Sequence, residues 1–216
     1  MIYSPRRKYL FVHIPKTGGT SLALALEARA QAADVLIGDT PKATRRRKRV
    51  KELTARGRLW KHAKLADVDG WLGPAELEPL TVFTIVRNPW DRLVSYYMWL
   101  REQSFDHPAV VLAKRLEFGG FLRAPEIQAS LRANPYRSYV TDAAGAERCD
   151  LYLRFEHLEE DTQSLARLLG VKVELPHVNR SDRPRDYREL YSAEEAAIVA
   201  DVCAADIARF GYEFEG

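Results

Sequence analysis

The stretch Tyr9–Leu22, YLFVHIPKTGGTSL, constrains this chain more than any other. Leu10–Ile14 reads as a buried strand, a polar turn follows, and helix formers come next. Lys16, Thr17, Gly18, Gly19, Thr20 and Ser21 therefore stand where the strand must become the helix. Two consecutive glycines let the backbone approach a ligand closely or adopt a positive φ without a Cβ clash. The open N–H groups at a helix start, with the helix dipole, favour an anion there. The lysine and three hydroxyls add charge and donors, which makes the stretch a phosphate cradle by composition and position. The plainer reading is a Gly-Gly turn between strand and helix. A nucleoside triphosphatase loop places its lysine after the glycines, in the order G-x-x-x-x-G-K-[ST]. Here Lys16 precedes Gly18-Gly19, so that reading loses support.

The remaining chain alternates strand-like and helix-like segments. Ser21–Ala33 is rich in helix formers with few polar positions, and Asp34–Ile37 is a short apolar run broken at Gly38-Asp39-Thr40-Pro41. A helix is expected near Leu65–Leu72. Leu80–Val86, LTVFTIV, has the uncharged, β-branched character of a parallel strand covered on both faces. Asp91 is an apt N-cap for a helix over Arg92–Glu102. Phe105–Ala133 looks helical with interruptions at Pro108, Gly119-Gly120 and Pro125. Asp150–Phe155 is a further strand, followed by an amphipathic helix over Glu156–Leu169 that Gly170 closes. Leu175–Tyr187 is irregular. Ser192 and Glu195 form a capping box for a last helix, Ala193–Phe210, with Gly211 as its stop. Strands alternating with helices predict an α/β fold with a mostly parallel central sheet flanked by helices, in one domain spanning 1–216. A chain of this length buries a sizeable core.

Charge is unevenly spread. Residues 42–64 hold eleven Lys/Arg and one acid, or +10, against a total of +3, so the rest of the chain is mildly acidic. Lys42–Lys51, KATRRRKRVK, reads either as a solvated loop or helix face or as a contact surface for a polyanion. No aromatic residue interleaves it, which argues against single-strand base stacking, and no nucleic-acid partner is expected. Cys149 and Cys203, the two cysteines, make neither a disulfide framework nor a zinc site. They read as buried thiols suited to a reducing compartment. Asp67-Val68-Asp69-Gly70 lacks the remaining ligands of a calcium loop, and no cluster calls for a metal. The apolar run Tyr9–Ile14 is too short for a secretory core. No stretch approaches the roughly 20 apolar residues of a membrane span.

A second motif, Val86–Tyr97, reads VRNPWDRLVSYY and again places polar residues where a strand meets a helix. With it, the order P-K-T-G-G-T-S after a strand resembles the 5′-phosphosulfate loop of sulfotransferases, and the spelling HIPKTGGTS resembles the carbohydrate (family 2 type) members. That resemblance implies a P-loop-like sulfotransferase fold. It also implies use of 3′-phosphoadenosine 5′-phosphosulfate (PAPS) as sulfuryl donor, with adenosine 3′,5′-bisphosphate as product. Lys16 and the residues Thr17–Ser21 would hold the 5′-phosphosulfate end, while Arg87 and Ser95 match the spacing of the family's 3′-phosphate site. A guanidinium suits a phosphate, and two separated phosphates describe PAPS better than a nucleoside triphosphate. Weaker matches are Arg154-Phe155-Glu156-His157-Leu158, the segment His177-Val178-Asn179-Arg180-Ser181 with Tyr187 and Tyr191, and the ending Asp206–Phe214.

The acceptor hydroxyl needs a base. His62, in Trp60-Lys61-His62-Ala63, stands where related sulfotransferases place one; Glu156, His107 and His177 are second choices, and His13 reads as structural. Lys16 and His62 are thus the expected catalytic pair. The resemblance implies a hydroxylated acceptor, a carbohydrate first of all, with a polyanionic acceptor at the basic segment as a weaker lean. It also implies a cytoplasmic, bacterial version without the membrane anchor of Golgi relatives. A P-loop-type small-molecule kinase and a non-catalytic nucleotide or polyanion binder stand as the alternatives. Oligomeric state is not legible.

Overall fold

The computed structural model describes residues 1–176 and 186–215. The expected match over His177–Ser181, and His177 as an alternative base, lie outside the described residues. In chain order the strands are β1 (Ile2–Ser4), β2 (Tyr9–Phe11), β3 (Val35–Leu36), β4 (Thr81–Val86) and β5 (Leu151–Arg154). The helices are α1 (Gly19–Ala28), α2 (Pro41–Arg45), α3 (Arg47–Lys51), α4 (Pro74–Leu77), α5 (Pro89–Arg101) and α6 (Pro108–Arg115). They continue with α7 (Phe118–Arg123), α8 (Pro125–Ala133), α9 (Tyr136–Tyr139), α10 (Leu158–Leu169), α11 (Ala193–Val202) and α12 (Ala204–Phe210). Among the described residues no helix is long and apolar enough to cross a membrane. The chain divides into two compact units, Met1–Val86 with Arg137–Asn179, and Arg87–Tyr136 with Arg180–Gly216.

The first unit holds the sheet, in the order β3-β1-β2-β4-β5. β2, β4 and β5 pair in parallel, with Phe11 opposite Phe83 and Ile85 opposite Leu153. β1 runs antiparallel to both β2 and β3, so the sheet is mixed, with four strands pointing one way and β1 against them. β1 is three residues long and precedes a charged turn whose Lys8 takes a φ of 52°. So short a strand carries too little periodicity to be read from sequence. The expected strand Leu80–Val86 is β4, whose last five residues are all buried. Leu22 and Leu26 of α1 and Leu165 of α10 pack on Phe11, Phe83 and Leu153 to form the core. Each fully buried leucine is worth about 1.5–3 kcal/mol, enough to hold a ten-residue helix that would be marginal in isolation.

The second unit is helical, with its own core of Trp90, Leu93, Tyr97, Phe121, Leu122 and Val199. Three details differ from expectation. Asn88, not Asp91, caps α5, because its side chain accepts from Trp90 N at 3.1 Å while Pro89 takes the first helical position. Gly119-Gly120 lies inside α7 rather than interrupting it. A Cβ on Gly119 would overlap the Glu195 carboxylate, so close packing on α11 explains the glycine. The last helix keeps its Ser192–Glu195 capping box and its left-handed Gly211 but breaks at Cys203 into α11 and α12.

Candidate active site

The loop between β2 and α1 is built from backbone as much as from side chains. β2 is prolonged by Val12, whose N–H donates to Phe83 O at 3.0 Å and whose carbonyl accepts from Thr84 Oγ1 at 2.7 Å. The chain then turns through two left-handed residues, Lys16 at φ 65° and Gly18 at φ 83°. A lysine in that region costs about 1–2 kcal/mol, and such strain is characteristic of functional loops. Thr17 is fully buried and its hydroxyl donates to Ile14 O at 3.0 Å. Its side chain therefore holds the turn, leaving its backbone N–H as the group it offers a ligand. Gly19 and Thr20 take the first two helical positions, whose N–H groups no carbonyl of the helix can accept. Ser21 N–H donates to Gly18 O at 3.3 Å.

The two glycines are there for different reasons. A Cβ on Gly18 would come within 2.5 Å of the Phe155 ring at the end of β5. One on Gly19 would run into the imidazole of His13. Phe155 and His13 are thus the floor of the loop, and neither stands among the site residues expected from sequence. Phe155 belongs to the matched motif Arg154–Leu158, which was its signal. His13 had none, because a histidine in a buried strand reads as core.

His62 lies beside this loop. Its Nδ1 is 2.8 Å from His13 O. Its ring meets that of His13 edge-on at 4.7 Å and that of Trp60 at 5.1 Å. Burial pulls its pKa down to about 3, against the opposing pull of the hydrogen bond to His13 O. A carbonyl can only accept, so Nδ1 carries the proton and Nε2 of the neutral ring carries the lone pair. That is the protonation state a base requires. The second choices stand differently. His107 Nδ1 accepts from Ala109 N at 3.1 Å as the cap of α6, and Glu156 follows Phe155 in a 3-10 turn.

The basic segment splits in two. Lys42 Nζ, Arg46 Nη1 and Arg49 Nη1 donate to Glu27 O, Gln31 O and Ala32 O at the far end of α1 and just beyond it. Cations there complement the negative end of the helix dipole. Gly19 stands at the opposite end of α1, about 15 Å away at 1.5 Å per residue. In the second part Trp60 meets the His62 ring, Arg58 lies over Trp60 at 5.6 Å, Lys61 pairs with Asp39 at 2.5 Å and Lys64 lies over Tyr139 at 5.3 Å. His62 ties this second part to His13 at the base of the loop. Arg45, Arg47, Lys48 and Lys51 are exposed on α2 and α3.

In the second unit, Arg87 is 4% exposed and Ser95 is buried on α5. Asp91 accepts from Arg87 Nε at 2.7 Å and Nη2 at 2.5 Å. The fork of the guanidinium is thus engaged by a carboxylate, and a phosphate would have to share it. Tyr136 Oη donates to Arg87 O. Both cysteines carry free thiols pushed up by burial, Cys149 to about 12 and Cys203 to about 11.

Among solved structures the chain is similar to mouse sulfotransferase SULT7A1 complexed with PAP, at 13% identity, covering 95% of this chain and 85% of that one, with a TM-score of 0.48. It is also similar to a sulfotransferase from Alicyclobacillus acidocaldarius, at 16% identity, covering 98% and 97%, with a TM-score of 0.40. No curated protein matches the sequence. The profile of the sulfotransferase family matches residues 1–212, nearly the whole length. The chain belongs to the sulfotransferase family.

Proposed function

We propose that the protein transfers the sulfuryl group of PAPS to a hydroxyl of a carbohydrate or another hydroxylated metabolite, with residues 1–216 acting as one sulfotransferase domain. The observation that carries this reading is the strained β2–α1 loop with a neutral histidine beside it: Lys16 and Gly18 left-handed, both glycines closed off by neighbouring rings, and His62 bonded to His13 O. The donor set suits a phosphosulfate, being amide N–H groups, hydroxyls and one ammonium around a helix N-terminus. PAPS supplies the activated sulfuryl group. Lys16 and the backbone of Thr17–Thr20, with the hydroxyls of Thr20 and Ser21, hold its 5′ end. Arg87 and Ser95 are the residues assigned to the 3′-phosphate.

His62 Nε2 takes the proton of the acceptor hydroxyl as the acceptor oxygen bonds to sulfur. The bond from sulfur to the 5′-phosphate oxygen breaks in line, and Lys16 stabilises the charge that collects on that oxygen. The product nucleotide leaves with that oxygen, so atoms and charge balance without a further reactant. Catalysis of this kind is mainly positioning and electrostatics. The surroundings of His62, Trp60 and Lys64 are where an acceptor is expected, and free thiols of raised pKa suit a reducing cytoplasm.

Thermal shift tests the donor and labelled transfer tests the reaction. Adenosine 3′,5′-bisphosphate should stabilise the protein more than ADP or ATP does, and Arg87→Ala should remove most of that preference. Equal shifts for the three nucleotides would refute the donor assignment. Labelled PAPS against a panel of sugars, lipid-linked sugars and other hydroxylated metabolites should then yield a labelled product that His62→Ala forms about 10²-fold more slowly or worse, with bisphosphate affinity nearly unchanged.

A further inference from the structure

We propose that His13 is a positioning residue, which holds His62 in the tautomer and orientation a base needs and ties that base to the 16–21 loop. The proposal rests on the reading of His62 given above. His13 is 7% exposed just beyond β2, and three contacts meet on its ring. Its ring stacks on Phe11 at 5.7 Å and 24°, which anchors it to the core. Its Cδ2–Nε2 edge fills the space where Gly19 would otherwise carry a Cβ. Its other neighbour is the His62 ring, edge-on at 4.7 Å and 74°. Its own carbonyl receives the His62 Nδ1 proton. Residues 49 apart in sequence are thereby set in one register with the first turn of α1.

The groups around His13 favour its neutral form. Burial is the largest cause, and the charges of Lys61 and Lys16 add to it; the neighbouring His62 ring and Met1 amino group are themselves pushed down by burial, to about 3 and about 5. Glu27 and Asp39 line the same small cavity, which has room for about one water, with Thr20, Thr40 and Lys61. A neutral ring at this place adds shape without charge. It keeps the His62 ring from turning, and a turned ring would present the wrong nitrogen to the acceptor.

The experiment compares His13→Ala and His13→Phe with the unchanged protein by two readouts. Nitrogen-15 NMR of the His62 ring reports its tautomer and needs neither donor nor acceptor. Turnover and adenosine 3′,5′-bisphosphate affinity are measured on the same samples. We expect His62 as the Nδ1–H tautomer in the unchanged protein and mixed tautomers in His13→Ala. Turnover in that variant should fall about 10–100-fold, with bisphosphate affinity within about threefold. His13→Phe, which keeps the edge-to-face packing, should restore both the tautomer and most of the turnover. If His13→Ala does not fold, His13→Asn takes its place. Unmoved His62 signals in the smaller variant would overturn the proposal, whatever happens to turnover. So would an affinity loss as large as the turnover loss, which would mark His13 as a prop for the loop alone. An unchanged protein that transfers nothing to any acceptor would count against sulfuryl transfer, while the NMR comparison would still decide on His13.

Discussion

Two strand-to-helix turns in this protein look alike in sequence and differ in what they leave open. At the β2–α1 turn, the helix start is preceded by glycine, which offers no capping side chain, and by a lysine held at φ 65°. No side chain caps that helix start. At the start of α5, Asn88 caps the helix and Asp91 takes the fork of Arg87. There the protein satisfies its own helix start, and the cation is buried with a counter-ion. On the proposed reading the first turn would act through its backbone, by φ angles and close approach. The second would act through a guanidinium whose aim a carboxylate already sets. A basic residue beside a helix start therefore does not by itself make an anion site; what distinguishes the two is whether the caps are filled from within.

The sharpest way to break this comparison is Lys16→Gly. Glycine keeps the left-handed turn and removes the strain, so stability in denaturant melts should hold or rise by up to about 1 kcal/mol. Transfer should nonetheless fall about 10³-fold, or about 4 kcal/mol of transition-state stabilisation. Retained turnover would mean that the lysine is not the charge the loop supplies. Next in size is Gly18→Ala, which combines an unfavourable φ with a clash against the Phe155 ring. It should cost about 2–4 kcal/mol in chemical denaturation, and the double variant with Phe155→Ala should recover the steric part. Asn88→Ala should cost about 1 kcal/mol and leave the thermal shift by adenosine 3′,5′-bisphosphate in place. If that shift collapsed, the two turns would not be independent.

The smallest effect is the response to pH. Burial holds His62 at about 3, against an ordinary value of 6.5. The unfolded chain therefore takes up a proton below about pH 6.5 that the folded protein refuses. The stability tied to His62 is full above that pH and is lost as the pH falls towards 3. Between pH 7 and pH 5.5 the loss should be about 1 kcal/mol, and His62→Phe should flatten that part of a stability–pH curve. Turnover should show no acidic limb from His62 between pH 5 and pH 8. A limb near 6.5 would place the imidazole in water.

The legibility of the site follows the range of its interactions. Lys16–Ser21 could be read because a strand, a glycine pair and a helix lie within a few residues of one another. The capping box at Ser192 and the stop at Gly170 were legible for the same reason. Thr17 looked like a donor because its hydroxyl could be counted, but its use by Ile14 O could not. Residues 42–64 looked like one basic surface because charge was the visible property. Which carbonyls Lys42, Arg46 and Arg49 find depends on where α1 ends in space. The helical character of Phe105–Ala133 was legible, whereas the reason for Gly119 was not, since it lies in Glu195.

The sequence by itself determined an α/β chain with a strand-to-helix loop whose lysine precedes its glycine pair, the reverse of the triphosphatase order; that loop singled out Lys16, and the resemblance to sulfotransferases singled out His62 and Arg87. Propensity and residue order act over a few residues, which is why the loop and the elements around it could be read. Only the tertiary structure decided that β1 joins the sheet antiparallel, that Arg87 shares its fork with Asp91, and that His13 stands between the loop and His62. The pairing of β1 with β3 and the contact of His13 with His62 join residues far apart in the chain, and the Arg87 pair depends on the helix starting at Pro89 and not at Arg92. No local pattern records where such partners will meet.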